Sequence, residues 1–288
     1  MRERLKLAAF GGGLILLFGA ALGVGALVGE SSPAADDESP PGTGLADSHD
    51  GYTFADLTAP TEPNQVGPLR FRITGPDGST VTKFTAQHGK QLHLIVARSD
   101  ATGYRHVHPV MDAAGTWSID WKWAEPGSYR IFADFTPDAA GDLVLSRTIT
   151  VAGNAAPQPL PPPARTVAVD GYRVTLTGDL NTAGSELRFA ISRDGAPVID
   201  LEPYLGAYAH LVALRGNDLA YLHVHPEGEI GRTPAGPEVA FHAQAPSAGD
   251  YRLYLDFVHH GAVHTAEFTV ESATAAADSV AHTHGGGH

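Results

Sequence analysis

The residues best suited to chemistry in this sequence are its histidines. Fifteen of the 288 residues are histidine and none is cysteine, so imidazole nitrogens are abundant and thiolates are absent. One pattern occurs twice: a histidine in an apolar segment is followed thirteen residues later by His-x-His. The histidines of this pattern are His93, His106 and His108 in the first copy and His210, His223 and His225 in the second.

The spacing of this pattern suits the binding of a metal ion. Residues i and i+2 of a β-strand point to the same side, roughly 6.5–7 Å apart, so both imidazoles of His-x-His can approach one cation. A hairpin or a neighbouring strand would return the first histidine beside this pair. An aspartate on a later segment of each copy, Asp134 or Asp256, is a candidate fourth ligand or a partner that fixes a histidine tautomer. Nitrogen and oxygen donors without thiolate favour Cu(II) or Zn(II), which are the expected cofactors.

The same histidines also have a structural interpretation. A strand histidine in a small sandwich is often a core residue whose ring nitrogens meet a carboxylate or a backbone carbonyl. His93 with Asp134, and His210 with Asp256, would then be buried pairs that a duplication has copied. The sequence leaves both interpretations open.

Between its ends the chain is a tandem repeat. Val81–Pro109 aligns without gaps on Val198–Pro226, at an offset of 117 residues. Apolar and polar residues alternate in short segments, as at 117–122, and Gly/Pro-rich turns separate them, which predicts β-strands. We therefore predict an all-β fold with two tandem immunoglobulin-like β-sandwich domains after a single N-terminal transmembrane helix. The predicted parts are a membrane anchor at 1–29, a flexible stalk at 30–50, the first sandwich at 51–152, a Pro-rich linker at 153–165, the second sandwich at 166–271 and a flexible His-containing tail at 272–288.

The N-terminal segment predicts an extracytoplasmic location. Arg2, Arg4 and Lys6 precede an uncharged stretch at 7–29, which as a helix would span a hydrocarbon core of about 30 Å. Basic residues before the span and acidic residues after it orient the body of the chain outside. We expect a single-pass anchor in the cell membrane; the alternative is secretion after cleavage of a signal peptide.

Composition and motifs exclude several functions. The chain has 32 acidic and 19 basic residues, a formal net charge of −13, and it would repel phosphate backbones, so no nucleic-acid partner is expected. The sequence contains no nucleophile elbow, phosphate-binding loop or dinucleotide fingerprint. We therefore predict a protein that is not an enzyme and has no catalytic residues. The expected partners are a metal ion, the membrane through the N-terminal helix and, in the structural interpretation, a protein of the cell envelope.

Four segments carry a resemblance to known proteins: LHLIVARSDATGYRHVHP, YRIFADF, PYLGAYAHLVALRGNDLAYLHVHP and YRLYLDF. Over most of Gly51–Val270 the chain resembles a poorly characterised family of actinobacterial secreted or membrane-anchored proteins with tandem HVHP-containing domains. Some members are linked to copper or heavy-metal handling. The layout also resembles immunoglobulin-like copper-resistance domains, but their N-terminal histidine and Met-rich loops are absent here, so their ligands do not transfer. The resulting hypothesis is that each domain binds one divalent transition metal ion, copper favoured, through its three histidines, for metal buffering, sequestration or delivery near the membrane.

Overall fold

The computed structural model describes residues 43–222 and 224–274. The predicted membrane anchor at 1–29 lies outside the described residues, as do His223 and most of the predicted tail. Across the described part every regular element is a β-strand. That part contains no helix long and apolar enough to cross a bilayer.

The first domain consists of two antiparallel sheets that enclose an aromatic-rich core. One sheet has the order β1-β2-β3-β8-β7 and the other has the order β10-β9-β5-β6. In β8 the tryptophans Trp117 and Trp121 are buried and Asp120 between them is exposed, as the alternating pattern predicted. The strands are β1 (Ser48–His49), β2 (Tyr52–Thr58), β3 (Val66–Thr74), β4 (Phe84–Thr85), β5 (His93–Arg98), β6 (Arg105–Val107), β7 (Val110–Met111), β8 (Trp117–Lys122), β9 (Gly127–Pro137) and β10 (Leu143–Val151).

The second domain repeats this architecture. Its sheets have the orders β11-β12-β13-β18-β17 and β16-β15-β19-β20, and β15 and β19 correspond to β5 and β9. The strands are β11 (Thr166–Val169), β12 (Tyr172–Thr177), β13 (Ser185–Arg193), β14 (Ala196–Pro197), β15 (Ala209–Arg215), β16 (Tyr221–Leu222), β17 (Val224–Pro226), β18 (Glu238–Ala243), β19 (Gly249–His259) and β20 (Ala262–Ser272).

Strand order and a corner hydrogen bond identify both domains as immunoglobulin-like sandwiches. The paths β2-β3-β8-β7 and β10-β9-β5 reproduce the A-B-E-D and G-F-C orders of that fold. Near the start of β9, the F strand of the first domain, the Tyr129 hydroxyl donates to the Glu125 carbonyl at 3.0 Å. At the same place in β19 of the second domain, the Tyr251 hydroxyl donates to the Ser247 carbonyl at 3.0 Å. This tyrosine corner is a mark of the same fold. The prediction of an all-β chain with two tandem β-sandwich domains is confirmed.

A third hydrophobic core lies between the two domains. Every residue of β5 is buried, because one face of the strand packs into its own sandwich and the other against the second domain. The two β5/β9-type sheets thus meet face to face, and their contact resembles a domain interior. The buried members of this interdomain core are Ile95, Ala97, Ala101, Phe132 and Val144 from the first domain and Val212, Leu214, Leu219, Tyr221 and Tyr254 from the second.

The end of the predicted stalk belongs to the folded body. The Tyr221 amide donates to the Thr43 carbonyl at 2.7 Å, and the Ser146 amide donates to the Ala46 carbonyl at 2.8 Å. Gly44 is buried with a φ of 64°, and a Cβ there would lie 2.8 Å from Val144, so only glycine fits this narrow passage. Backbone groups of both domains therefore bond the part of the predicted stalk at 43–50; residues 30–42 lie outside the described part.

The Pro-rich linker is fastened at several points. The Gln158 amide donates to the Asp100 carboxylate at 2.8 Å, and the Ala164 amide donates to the Thr269 carbonyl at 3.1 Å. Leu160 packs against the interdomain core. The linker thus runs along the domain contact and helps to hold the relative position of the two sandwiches.

Candidate metal centre

Three histidines of the first copy converge at the edge of the interdomain core. His93 begins β5 and His106 lies in β6, which pairs with β5 so that Ile95 is opposite His106. His93 Nδ1 is 3.0 Å from His106 Nε2 and 3.2 Å from His108 Nε2. One nitrogen from each ring lies within 4.8 Å of the other two, a spacing that suits one metal ion. The spacing of thirteen residues between His93 and His106 had predicted that a neighbouring strand brings them together, and β6 beside β5 is that strand.

The outer nitrogens of two of these rings are already bonded to acceptors. His93 Nε2 lies 3.1 Å from the Gln87 carbonyl oxygen, which can only accept, so Nε2 carries the hydrogen. His106 Nδ1 lies 3.1 Å from the Asp256 carboxylate and donates to it in the same way. In these tautomers the facing nitrogens, His93 Nδ1 and His106 Nε2, both present lone pairs. Metal-bound histidines characteristically donate their other N–H to a carboxylate or a backbone carbonyl.

Burial keeps the imidazoles of His93 and His108 neutral. Burial, with a smaller contribution from the neighbouring His106, lowers the pKa of His93 to about 4 and that of His108 to about 3. A neutral ring is the form that binds a metal ion, since the proton and the metal compete for the same lone pair. The rings are therefore ready to bind a cation at neutral pH.

The lowered pKa values predict that the metal-free protein loses stability on acidification. An unfolded histidine titrates near pH 6.5, whereas His93 in the folded protein stays neutral down to about pH 4. Between these values the unfolded state binds more protons, so the free energy of unfolding falls as the pH falls, by about 3 kcal/mol for His93 alone. Denaturant titrations of the metal-free protein across this window measure the loss. In a His93→Gln variant the free energy of unfolding should fall less steeply with decreasing pH. Equal pH dependence in the variant and the parent would contradict the prediction.

The two candidate aspartates bond across the domain boundary. Asp256 of the second domain accepts from His106 and from the Tyr104 hydroxyl of the first at 3.2 Å, and also from Thr265 at 2.6 Å. In the mirrored arrangement the Tyr221 hydroxyl donates to Asp134 at 3.0 Å. Of the two roles that the sequence left open for Asp256, its contacts match that of a partner fixing a tautomer.

The second copy is arranged differently from the first. The ring of His210 stands 5.0 Å from that of His106 and 5.4 Å from that of His93, centre to centre, so His210 lies beside the first cluster. His210 and Asp256 are neighbours in the β15–β19 register, yet the Asp256 carboxylate bonds His106. Strand β16, which pairs with β15, ends at Leu222. The next strand, β17, pairs instead with β18 of the opposite sheet, where the backbone of His225 is opposite His242.

Sequence reasoning overlooked His88 and the role of the two tyrosines. The ring of His88 lies 5.2 Å from that of His210 and 6.3 Å from that of His93. Its counterpart in the repeat is Leu205, so a comparison of the copies hides it.

Tyr104 and Tyr221 occupy matching positions in the two copies, and this repetition was the sequence feature that could have identified their role. Burial, followed by the nearby carboxylate, raises the pKa of both hydroxyls well above the usual range, which keeps them as hydrogen-bond donors.

A small cavity opens beside the cluster. It has a volume of about 160 Å³ and lies between the domains; its lining includes Gln87, His88, His93, Asp134, Asp142 and His210. Together with Asp256, the carboxylates of Asp134 and Asp142 give the surroundings a negative charge, which favours a cation. Of the histidines around the cluster, the cavity borders His88, His93 and His210.

Fold and site together define a pair of immunoglobulin-like sandwiches with a histidine cluster where they meet. The family described as "Domain of unknown function (DUF8832)" matches residues 47–153 and 166–274, one match for each sandwich. The chain belongs to this family and contains two copies of its domain. No curated protein matches the sequence.

Several solved structures of bacterial surface proteins are similar at a low level. InvD of Yersinia pseudotuberculosis is 12% identical with a TM-score of 0.25; the match covers 79% of this chain and 58% of that chain. The D0-D1 domain of Intimin is 9% identical with a TM-score of 0.21, covering 76% and 96%. Domains 5-6 of the S-layer protein SbsC are 10% identical with a TM-score of 0.25, covering 78% and 99%. Similarities at this level support no functional conclusion.

Proposed function

We propose that this protein binds a divalent transition metal ion, with copper favoured and zinc second, through His93, His106 and His108. The observation that carries the proposal is that one ring nitrogen from each of the three histidines lies within 4.8 Å of the other two, with His93 Nδ1 and His106 Nε2 3.0 Å apart. Two lone pairs at this distance repel each other unless a hydrogen or a cation lies between them. The outer hydrogen bonds to Gln87 and Asp256 hold both rings in this tautomer.

The biological role that fits such a centre is metal buffering, sequestration or delivery outside the cytoplasm. The uncharged stretch at 7–29 would anchor the chain in the membrane, with the sandwiches outside. The resemblance to tandem HVHP-containing proteins linked to copper handling supports the same role. We propose a binding protein and not an enzyme, because the sequence contains no catalytic motif.

The rival proposal is a structural or interaction module of the cell envelope, in which the histidines only stabilise the domain contact. The buried hydrogen bonds from Tyr104 to Asp256 and from Tyr221 to Asp134 favour it, since they join the domains without metal. The two proposals differ in whether the protein takes up a stoichiometric ion.

Metal analysis of the full chain decides between them. The chain is purified in detergent without nickel, on a background in which His282, His284 and His288 are alanine, and titrated with Cu(II) and Zn(II). We expect one tightly bound equivalent and a raised unfolding temperature, since a ligand at about 100 times its Kd stabilises by about 2.7 kcal/mol. No stoichiometric metal and an unchanged unfolding temperature would reject metal binding in favour of the structural module. Two equal equivalents would indicate a separate ion at His210, His223 and His225.

A further inference from the structure

His210 of the second domain is a half-buried histidine whose Nδ1 is buried and unused. It lies in β15, between Ala209 and Leu211, and its Nδ1 is buried. Among the described residues this Nδ1 has no hydrogen-bond partner. A buried polar atom without a partner costs roughly 1–3 kcal/mol, so its position calls for a ligand.

The surroundings of the corresponding atom in the first copy are very different. His93 occupies the matching position of β5, and its Nδ1 has His106 and His108 within 3.2 Å. The two domains therefore do not present equivalent sites, although the sequence repeats the histidines. The ring of His210 lies beside the first cluster, because the interdomain core holds the two sheets against each other.

Ring spacing places His210 at the distance of a further ligand. An imidazole bound at about 2.0–2.1 Å has its centre about 3.2 Å from the ion, so two rings at the tetrahedral angle are about 5 Å apart. The rings of His93, His106 and His108 are separated by 4.9–5.2 Å. His210 stands 5.0 Å from His106 and 5.4 Å from His93, which matches this spacing for two of the three rings.

Other contacts show that the second domain already contributes to this centre. Asp256 lies next to His210 on the neighbouring strand β19 and bonds the outer nitrogen of His106. On the other side, the loop at His88 approaches Gly206, where an added Cβ would lie 3.4 Å from the His88 Cα. Both domains are therefore closely packed around the histidines.

We infer that His210 supplies a fourth nitrogen to the ion held by His93, His106 and His108, so that one ion joins the two domains. This inference rests on the proposed function. Metal binding and domain docking are then coupled. The ion binds tightly only while the two sandwiches are docked, and the bound ion in turn stabilises the docked arrangement. The second copy of the domain then serves to complete the centre of the first.

The test compares His210 variants with the parent full chain that lacks the tail histidines. His210→Ala removes the nitrogen, and His210→Asn keeps a polar side chain of similar size in case the smaller residue impairs folding. His264→Ala is the matched control, because His264 lies in the second domain and bonds Asp170. Circular dichroism checks the fold, competition titration measures Cu(II) affinity, and electron paramagnetic resonance counts the coordinated nitrogens.

We expect both His210 variants to lose more than about tenfold in Cu(II) affinity, since even indirect partners of metal ligands are worth about 10–100-fold. The spectrum should change from four to three imidazole nitrogens, while His264→Ala retains the parent's values. Unchanged affinity and nitrogen count in a folded His210 variant would overturn this inference and leave the three-histidine site standing. A parent protein that binds no stoichiometric metal would overturn both.

Discussion

Replacing His106 by alanine is expected to reduce metal affinity more than about a hundredfold, because it removes one of three convergent nitrogens and separates the centre from Asp256. Loss of an outer partner alone costs about 10–100-fold, and a direct ligand contributes more. The folded state should persist, since Asp256 retains its hydrogen bonds from Tyr104 and Thr265. Zn(II) competition titration and circular dichroism on the same preparation measure both effects.

The chain offers a matched control for this substitution. His259 is also buried, and its Nε2 lies 3.1 Å from Asp200, as His106 lies 3.1 Å from Asp256. His259→Ala should lower stability but leave metal affinity unchanged. Asp256→Asn should give an intermediate loss of about 10–100-fold. Equal affinities in the His106 and His259 variants would contradict the assignment of the centre.

Phe132→Ala is expected to cost about 3–5 kcal/mol of unfolding free energy, the usual range for a fully buried phenylalanine. The side chain has no exposed surface and packs in the interdomain core, with its ring 5.7 Å from that of Tyr221. Loosening this contact also moves Asp256 away from His106, so metal affinity should fall with stability. Denaturant unfolding and Zn(II) titration at low temperature measure the two effects.

Phe71→Ala is the control that separates the loss of stability from the loss of metal affinity. Phe71 is equally buried but belongs to the core of the first sandwich, where its ring is 4.8 Å from that of Phe54. It should lose a similar unfolding free energy, while the protein that remains folded binds metal normally. If Phe132→Ala left metal affinity unchanged, the centre would not depend on domain docking.

Much of the fold could be predicted from local patterns. Strand β8 was predicted from the alternation of Trp117, Ile119 and Trp121 with polar residues, because a strand buried on one face requires a period of two. The separation of thirteen residues between His93 and His106 predicted that the two histidines lie on adjacent strands. In contrast, neither the composition nor the periodicity of 43–50 reveals that Thr43 and Ala46 accept hydrogen bonds from distant strands.

The partners of the histidines could not be predicted in the same way. In the structural interpretation each aspartate was paired with the histidine of its own domain, as strand register would place them. Instead, Asp256 bonds His106, 150 residues away. No sequence rule selects which faces of two similar sheets will meet, so the cross-domain contacts of Tyr104 and Tyr221 could not be predicted either.

The amino-acid sequence by itself determined the two copies of the sandwich and the identity of the nitrogen donors. Hydrophobic periodicity and turn residues act over a few positions, so they specify strands wherever the chain lies. Tertiary structure alone decided that His210 lies beside His93 and His106, and that Asp256 of the second domain bonds His106 of the first. Those contacts depend on burying the outer faces of β5 and β15 together, a gain in free energy that exists only once both sandwiches have formed.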